Sequence, residues 1–180
     1  MAVIKARRTE SYTPSDEDKD ERLRAVYKKA AELTIKTLPL DIESFIRSQG
    51  ILIHKEDMDS DISGYLEKRG NDWIIGINKY HAPRRQRFTL AHEYAHFILH
   101  KEHIEKEKKH FDTILFRGKE NDELEKQANE LSANILMPKG LFEQFLRLGI
   151  RSLSDLADRF NVSPAAIRYR AYKLGFIKEY

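Results

Sequence analysis

Residues 87–96 read RFTLAHEYAH and contain two histidines four positions apart. On an α-helix, His92 and His96 would lie roughly 6 Å apart along the axis and about 40° apart around it, so both imidazoles can bind one cation. Apolar residues recur at helical spacing beside them and predict a face buried at the edge of a core: Phe88, Ala91, Ala95 and Ile98. The segment therefore predicts a helix that carries two ligands of a metal ion.

Glu93 follows the first histidine and completes the pattern His-Glu-x-x-His. Three protein ligands leave the fourth position of a tetrahedral Zn²⁺ open to water, and a neighbouring carboxylate can accept a proton from that water. Two histidines satisfied within an ordinary core are the alternative, but the apolar residues at helical spacing beside them favour the metal site. Glu93 argues for catalysis, because a purely binding metal site has no need of a carboxylate here. The pattern predicts peptide-bond hydrolysis, with Glu93 as the general base.

Composition narrows the class of protein. The chain has 180 residues, no cysteine, 34% charged residues and a net charge of +3. Mixed charge does not demand a nucleic-acid partner, and the lack of cysteine excludes disulfides and thiol catalysis. No apolar run approaches the ~18 residues of a membrane span, and Met1–Glu10 lacks the apolar core of a signal peptide. We expect a cytoplasmic protein without a membrane partner.

Two helices are predicted between a flexible N-terminus and Gly50. Residues 1–19 are polar and are expected to be flexible, while Ser15 with Asp18 resembles a helix start that would run to about Leu38. After Pro39, Asp41 can cap a short second helix, which Gly50 would end.

A small sheet is predicted next. Residues 51–54, 62–68 and 73–77 are short β-rich runs that predict an antiparallel meander, with its hairpin turn at Gly70-Asn71. An edge strand of this meander, at Trp73–Ile77, could align a substrate backbone by strand addition.

The third metal ligand is expected on the helix after the His-Glu-x-x-His helix, which should run from Pro83 to about Lys101. Residues 101–120 predict a loop with a short strand near 111–116, and Asn121 can cap the next helix, which Pro138 ends. Glu125 and Glu130 flank its apolar stripe on opposite sides. Periodicity alone does not choose between these two glutamates.

Three segments together resemble the ImmA/IrrE metallo-endopeptidases: residues 87–96, residues 125–129 (EKQAN) and residues 135–138 (ILMP). The resemblance extends from about Asp41 to Phe176. It implies an α+β, zincin-like domain with bound Zn²⁺, or another divalent transition metal, and Glu125 as the third ligand. It also implies that Asn129 orients the imidazole of a metal ligand without itself binding the metal. Several members of the family cleave helix-turn-helix repressors.

Other polar residues near the motif have weaker functional interpretations. His100 lies another helical turn beyond His96, about 6 Å farther along the axis, and is interpreted as a helix-end histidine rather than a ligand. Arginines 84, 85 and 87 near the helix N-terminus should be compensated by an acidic group. Candidate donors to the oxyanion of the tetrahedral intermediate are Tyr80, His81 and His110.

Residues 139–180 predict a small helical unit that resembles a helix-turn-helix, with Ser163 capping its second helix and Pro164 in the first turn. The nearby basic residues are only Arg168, Arg170 and Lys173. We therefore expect this unit to pack on the protease domain or to bind a protein partner, rather than to bind DNA. The sequence therefore predicts three parts: a flexible N-terminus at residues 1–19, a zincin-like metalloprotease domain at residues 20–138, and a helical C-terminal unit at residues 139–180.

The sequence thus predicts a metal-dependent endopeptidase that cleaves a cytoplasmic helix-turn-helix repressor or a similar regulator. Two alternatives belong to other classes. The first is a protein that binds a repressor without cutting it, or the toxin of a toxin–antitoxin pair. The second is a DNA-binding module that acts through the C-terminal unit.

Overall fold

The computed structural model describes residues 38–107, 109–113 and 119–178, preceded by residues 25, 26, 28, 29 and 32. Its contacts divide the chain into two compact units, one comprising Asp41–Ser132 and the other Ala133–Tyr180 with Met1–Leu40. The predicted flexible segment 1–19 lies outside the described residues, as does most of the predicted helix that ends near Leu38. The predicted division at residue 138 stays a prediction.

The first unit begins with helix α1 (Ile42–Arg47), which forms where the sequence predicts it. The Asp41 carboxylate accepts a hydrogen bond from the Ser44 backbone N–H at 3.0 Å, which caps the helix. Gly50 follows with a φ of +79°, a left-handed conformation that glycine adopts without strain. The chain then turns directly into the sheet.

The sheet has four strands in the order β1-β3-β2-β4: β1 (Ile51–Glu56), β2 (Ile62–Arg69), β3 (Asp72–Asn78) and β4 (Lys109–Thr113). β2 and β3 form the predicted antiparallel hairpin, in which Gly70 adopts a φ of +61°. β1, however, pairs with β3 in parallel, with Ile53 opposite Ile75. The prediction of an antiparallel meander is therefore wrong for this pair, and the sheet is mixed.

β3 is an inner strand, so the prediction that Trp73–Ile77 forms an edge is also wrong. Every residue from Trp73 to Asn78 is buried, which requires cover on both faces of the strand. The edges of the sheet are β1 and β4. β4 lies two residues earlier than the strand expected near residues 111–116, and it pairs with β2.

Helix α2 (Pro83–Glu107) carries the His-Glu-x-x-His motif and packs on the sheet. It begins at Pro83, where the sequence leads into it, and regular helical geometry is interrupted at His100 (φ −124°, ψ 15°), close to the predicted end near Lys101. A second helical segment continues to Glu107. Glycines let β2 and α2 approach closely: a Cβ on Gly64 would lie 2.6 Å from Thr89 Cγ2. On the other side of α2, Tyr94 packs edge-to-face against Phe45 of α1 at 5.3 Å.

Helix α3 (Lys119–Leu136) follows β4 and begins two residues before the predicted cap at Asn121. Its last four residues belong to the second unit. Its buried residues include Ala128, Leu131 and Ile135, as the periodicity predicted. The helix ends just before Pro138 as expected, because proline supplies no backbone N–H.

The second unit contains helices α4 (Lys139–Arg147), α5 (Leu153–Phe160) and α6 (Pro164–Lys173). α5 and α6 form the predicted helix-turn-helix arrangement, with Asn161 in the turn at a φ of +52° and Ser163 capping α6 through Ala166 N–H at 3.1 Å. Stacked rings of Phe142 and Phe160 lie in its core. Across both units, no described helix is long and apolar enough to cross a membrane.

Candidate metal centre

Helix α2 brings the two motif histidines together on one buried face. His92 Nε2 and His96 Nε2 are 3.1 Å apart, and the two side chains are 3% and 1% exposed. A metal ion between these two nitrogens would bind the lone pair of each in its unprotonated form. The helix thus brings together two nitrogens that could bind one metal ion, and the spacing predicted this proximity.

Glu125 of α3 supplies a carboxylate at the same point. Its Oε2 lies 3.0 Å from His92 Nε2 and its Oε1 lies 3.2 Å from His96 Nε2. Glu130, the other candidate, is exposed on α3. The structure therefore places Glu125 beside the imidazoles, where the family resemblance implies a ligand.

The spacing of the three residues fits a small divalent cation. With metal–donor bonds of about 2.0–2.1 Å, the donor atoms of a tetrahedral zinc site lie about 3.3 Å apart. The side chains of His92, His96 and Glu125 converge to separations of 3.0–3.2 Å. Two imidazoles and one carboxylate are also a common donor set of catalytic zinc. This cluster could therefore hold a metal ion with one coordination position open.

Glu93 is wholly buried beside the cluster, at 0% exposure. It follows His92 by one residue and is therefore rotated about 100° around the helix from it. The close approach of β2 lies on this side, since a Cβ on Gly64 would be 3.7 Å from Glu93 Cγ. The sheet thus supports the face of α2 from which this carboxylate projects.

His100 lies behind the cluster rather than in it. Its Nδ1 is 3.0 Å from His96 Nδ1, the ring nitrogen that points away from Glu125. Its Nε2 lies 3.2 Å from Gln127 Oε1, and Gln127 Nε2 lies 3.3 Å from Glu123 Oε1. His100 is only 7% exposed, and the regular helical geometry of α2 is interrupted at this residue. The repeat of histidine at positions 92, 96 and 100 was the signal for this contact.

The remaining predicted site residues lie before α2, on β4 and on α3. Tyr80 is 71% exposed, and His81 Nε2 lies 3.2 Å from the Ser60 carbonyl oxygen. The role of these two residues as oxyanion donors stays a prediction. His110 lies in β4, and its side chain is not among those described. Asn129 is half-buried on α3, where its backbone carbonyl accepts a hydrogen bond from Ser132 Oγ at 2.9 Å.

Among the arginines near the start of α2, Arg87 has the predicted acidic neighbour, Asp41. Burial lowers the pKa of Arg87 to about 10, and the charge of Asp41 opposes that shift. Arg85 instead donates to Ser63 Oγ at 3.0 Å. The Arg85 hydrogen bond joins the start of α2 to β2.

Comparison with known proteins identifies the family. A family model described as Peptidase_M78, the IrrE N-terminal-like domain, matches residues 46–172. The chain belongs to this family. Its membership confirms the resemblance to the ImmA/IrrE metallopeptidases and indicates a metallopeptidase-type function. The comparison with curated proteins found no significant match.

A solved structure from Mycobacterium tuberculosis, titled a transcriptional regulator, is similar over 84% of this chain, with a TM-score of 0.55 and 15% identity. The match covers 47% of that protein, so this chain spans about half its length. At this identity the likeness concerns the fold, and it confirms the predicted α+β class.

Proposed function

We propose that the chain is a cytoplasmic zinc endopeptidase that cuts a regulatory protein, and that a helix-turn-helix repressor is its substrate. The proposal is supported chiefly by the convergence of His92, His96 and Glu125 within 3.0–3.2 Å in a member of a peptidase family. These three side chains would hold the ion. Another divalent transition metal would suit the same donors.

Catalysis would combine the ion with the chemistry of Glu93. A bound Zn²⁺ would act as a Lewis acid that polarises the scissile carbonyl. Glu93 would accept a proton from the attacking water and deliver it to the amine nitrogen as the C–N bond breaks. Because Glu93 is fully buried on a regular part of α2, its carboxylate is fixed in place and shielded from bulk water. In such a site, each charge interacts more strongly than it would in water.

A protein partner suits the second unit better than DNA does. Arg170, one of three basic residues noted on α6, is 4% exposed and donates from Nε to the Met137 carbonyl at 3.1 Å. Only Arg168 and Lys173 remain exposed there. Affinity for nucleic acid depends largely on neutralising phosphates with basic side chains. Two exposed cations on α6 would neutralise few phosphates. We therefore propose that this unit contacts the protein substrate.

The test is cleavage of the repressor encoded beside the gene of this protein. The purified proteins are incubated together, with and without chelator, and the mixture is measured by intact mass. We expect two repressor fragments whose masses sum to the parent plus one water, and none with chelator. Glu93→Gln is the matched variant, because it keeps the shape and all three metal donors.

Loss of the general base should reduce the cleavage rate by about 10²- to 10⁴-fold while repressor binding persists. A protein that sequesters the repressor, or a toxin that acts without cutting, would keep its effect in the Glu93→Gln variant. If the variant relieves repression or arrests growth as well as the parent does, the proteolytic proposal is wrong.

A further inference from the structure

A line of hydrogen-bonding side chains leads from the metal cluster to the protein surface. It starts at His96 Nδ1, passes through both ring nitrogens of His100 and the amide of Gln127, and ends at the carboxylate of Glu123. The three successive separations are 3.0, 3.2 and 3.3 Å. His96 and His100 are buried, whereas Gln127 and Glu123 are exposed.

The chemistry of the outer end fixes the direction of every hydrogen bond in this line. An ionised carboxylate only accepts hydrogen bonds, so Gln127 must present its NH₂ group to Glu123 and its oxygen to His100. That oxygen requires a proton on His100 Nε2. A neutral imidazole with a proton on Nε2 has a lone pair on Nδ1, so His96 Nδ1 must donate to it.

The inner end of the line then matches what a metal ligand needs. A neutral His96 that carries its proton on Nδ1 has its lone pair on Nε2, the atom that faces His92 and Glu125. We infer that His100 is a positioning residue that, with Gln127 and Glu123, holds His96 in its metal-binding tautomer. The inference rests on the proposed metal site and adds three residues to it.

The backbone at His100 supports this role. Helical geometry ends at this residue, with φ of −124° and ψ of 15°, while the following residues form a further helical segment to Glu107. The bend occurs where the side chain connects His96 of α2 to Gln127 of α3. A residue that merely filled the core would need neither hydrogen bond, and a buried imidazole without partners would destabilise the fold.

The first measurement is nitrogen NMR of the histidine rings in the ¹⁵N-labelled protein loaded with Zn²⁺. We expect His100 as the tautomer protonated at Nε2 and a scalar coupling across the hydrogen bond between the Nδ1 atoms of His96 and His100. A proton on His100 Nδ1, or the absence of that coupling, would overturn the inference. The result does not depend on any peptidase activity.

The second measurement is Zn²⁺ affinity, determined by competition with a chelator. His100→Phe keeps a ring but cannot accept a hydrogen bond, and it should weaken binding by about 10- to 100-fold. His100→Asn, whose Oδ1 can replace the Nδ1 acceptor, should recover part of that loss. The control is His54→Phe on β1, at a histidine whose side chain is 41% exposed and pairs with Glu56, and its affinity should equal that of the parent.

A surface variant guards against misfolding as an explanation. Gln127→Met removes the amide while leaving both buried histidines in place, and Gln127 is exposed. We expect mixed tautomers at His100 and a smaller loss of affinity than in His100→Phe. If the parent binds Zn²⁺ and both His100→Phe and Gln127→Met bind it as tightly as the parent does, the role of His100 is wrong while the proposed function still stands. If the parent itself binds no metal, the proposed function fails.

Discussion

Replacing Gly64 by alanine should destabilise the protein by about 2 kcal/mol, because this glycine lies where β2 meets α2. A Cβ there would lie 2.6 Å from the Gly76 carbonyl oxygen and 2.6 Å from Thr89 Cγ2, whereas ordinary contact begins near 3.4 Å. Both neighbours must therefore retreat by about 0.8 Å. One of them is strand backbone and the other is a β-branched side chain with few rotamers, so neither yields easily.

The magnitude follows from two opposing effects. Overpacking a core by one methyl group costs about 1–3 kcal/mol, while the restriction that alanine places on the unfolded chain returns about 0.4–1 kcal/mol. Two simultaneous close contacts place the overpacking cost near its upper end. For a chain of this size, each kcal/mol lowers the melting temperature by about 2–4 °C, so we expect a fall of about 4–8 °C.

Thermal unfolding followed by circular dichroism measures this change, with chelator present so that metal binding does not contribute. Gly140→Ala is the matched control, because a Cβ at this α4 glycine would meet no atom within 4 Å. That variant should be stabilised slightly, since alanine favours a helix over glycine by about 0.5–1 kcal/mol. Adding Thr89→Ala to Gly64→Ala should reduce the penalty of the Gly64 substitution. The reasoning is refuted if Gly64→Ala melts at or above the parent temperature.

Two further predictions concern the metal. The protein should bind about one Zn²⁺ per chain, and His92→Ala combined with His96→Ala should abolish this stoichiometry in elemental analysis; retention of the metal would rule out the site. In chelator competition, Glu125→Ala should lose affinity because it removes a donor, whereas Glu130→Ala should bind like the parent because that carboxylate is exposed. The opposite ranking would contradict the assignment of Glu125.

The site residues that could be predicted are those whose relationship is local. His92, Glu93 and His96 share one helix, so helical spacing alone places them together. Glu125 belongs to another helix, and two glutamates flank its apolar stripe. Only family resemblance could prefer it, because no local rule states which side of α3 faces α2.

The strands of the sheet could be predicted, but the order in which they pair could not. Short apolar runs show that strands exist, yet pairing between β1 and β3 is a non-local property that residues 51–54 and 73–77 do not encode individually. The contact of His100 with Gln127 could not be predicted for a related reason. It joins two helices, and spacing along α2 alone does not reveal it.

The candidate metal donors lie on two helices, and this arrangement predicts how the protein would behave without a metal ion. His96 and Glu125 are 29 positions apart, and closing a loop of that length costs about 3–4 kcal/mol of chain entropy. The buried residues Ala128 and Leu131 secure α3 beyond Glu125, so apolar packing offsets this cost. A zinc finger, by contrast, derives its folding free energy from the metal. We therefore expect the metal-free protein to stay folded. The proposed peptidase activity would then return at the rate of metal binding rather than at the rate of refolding.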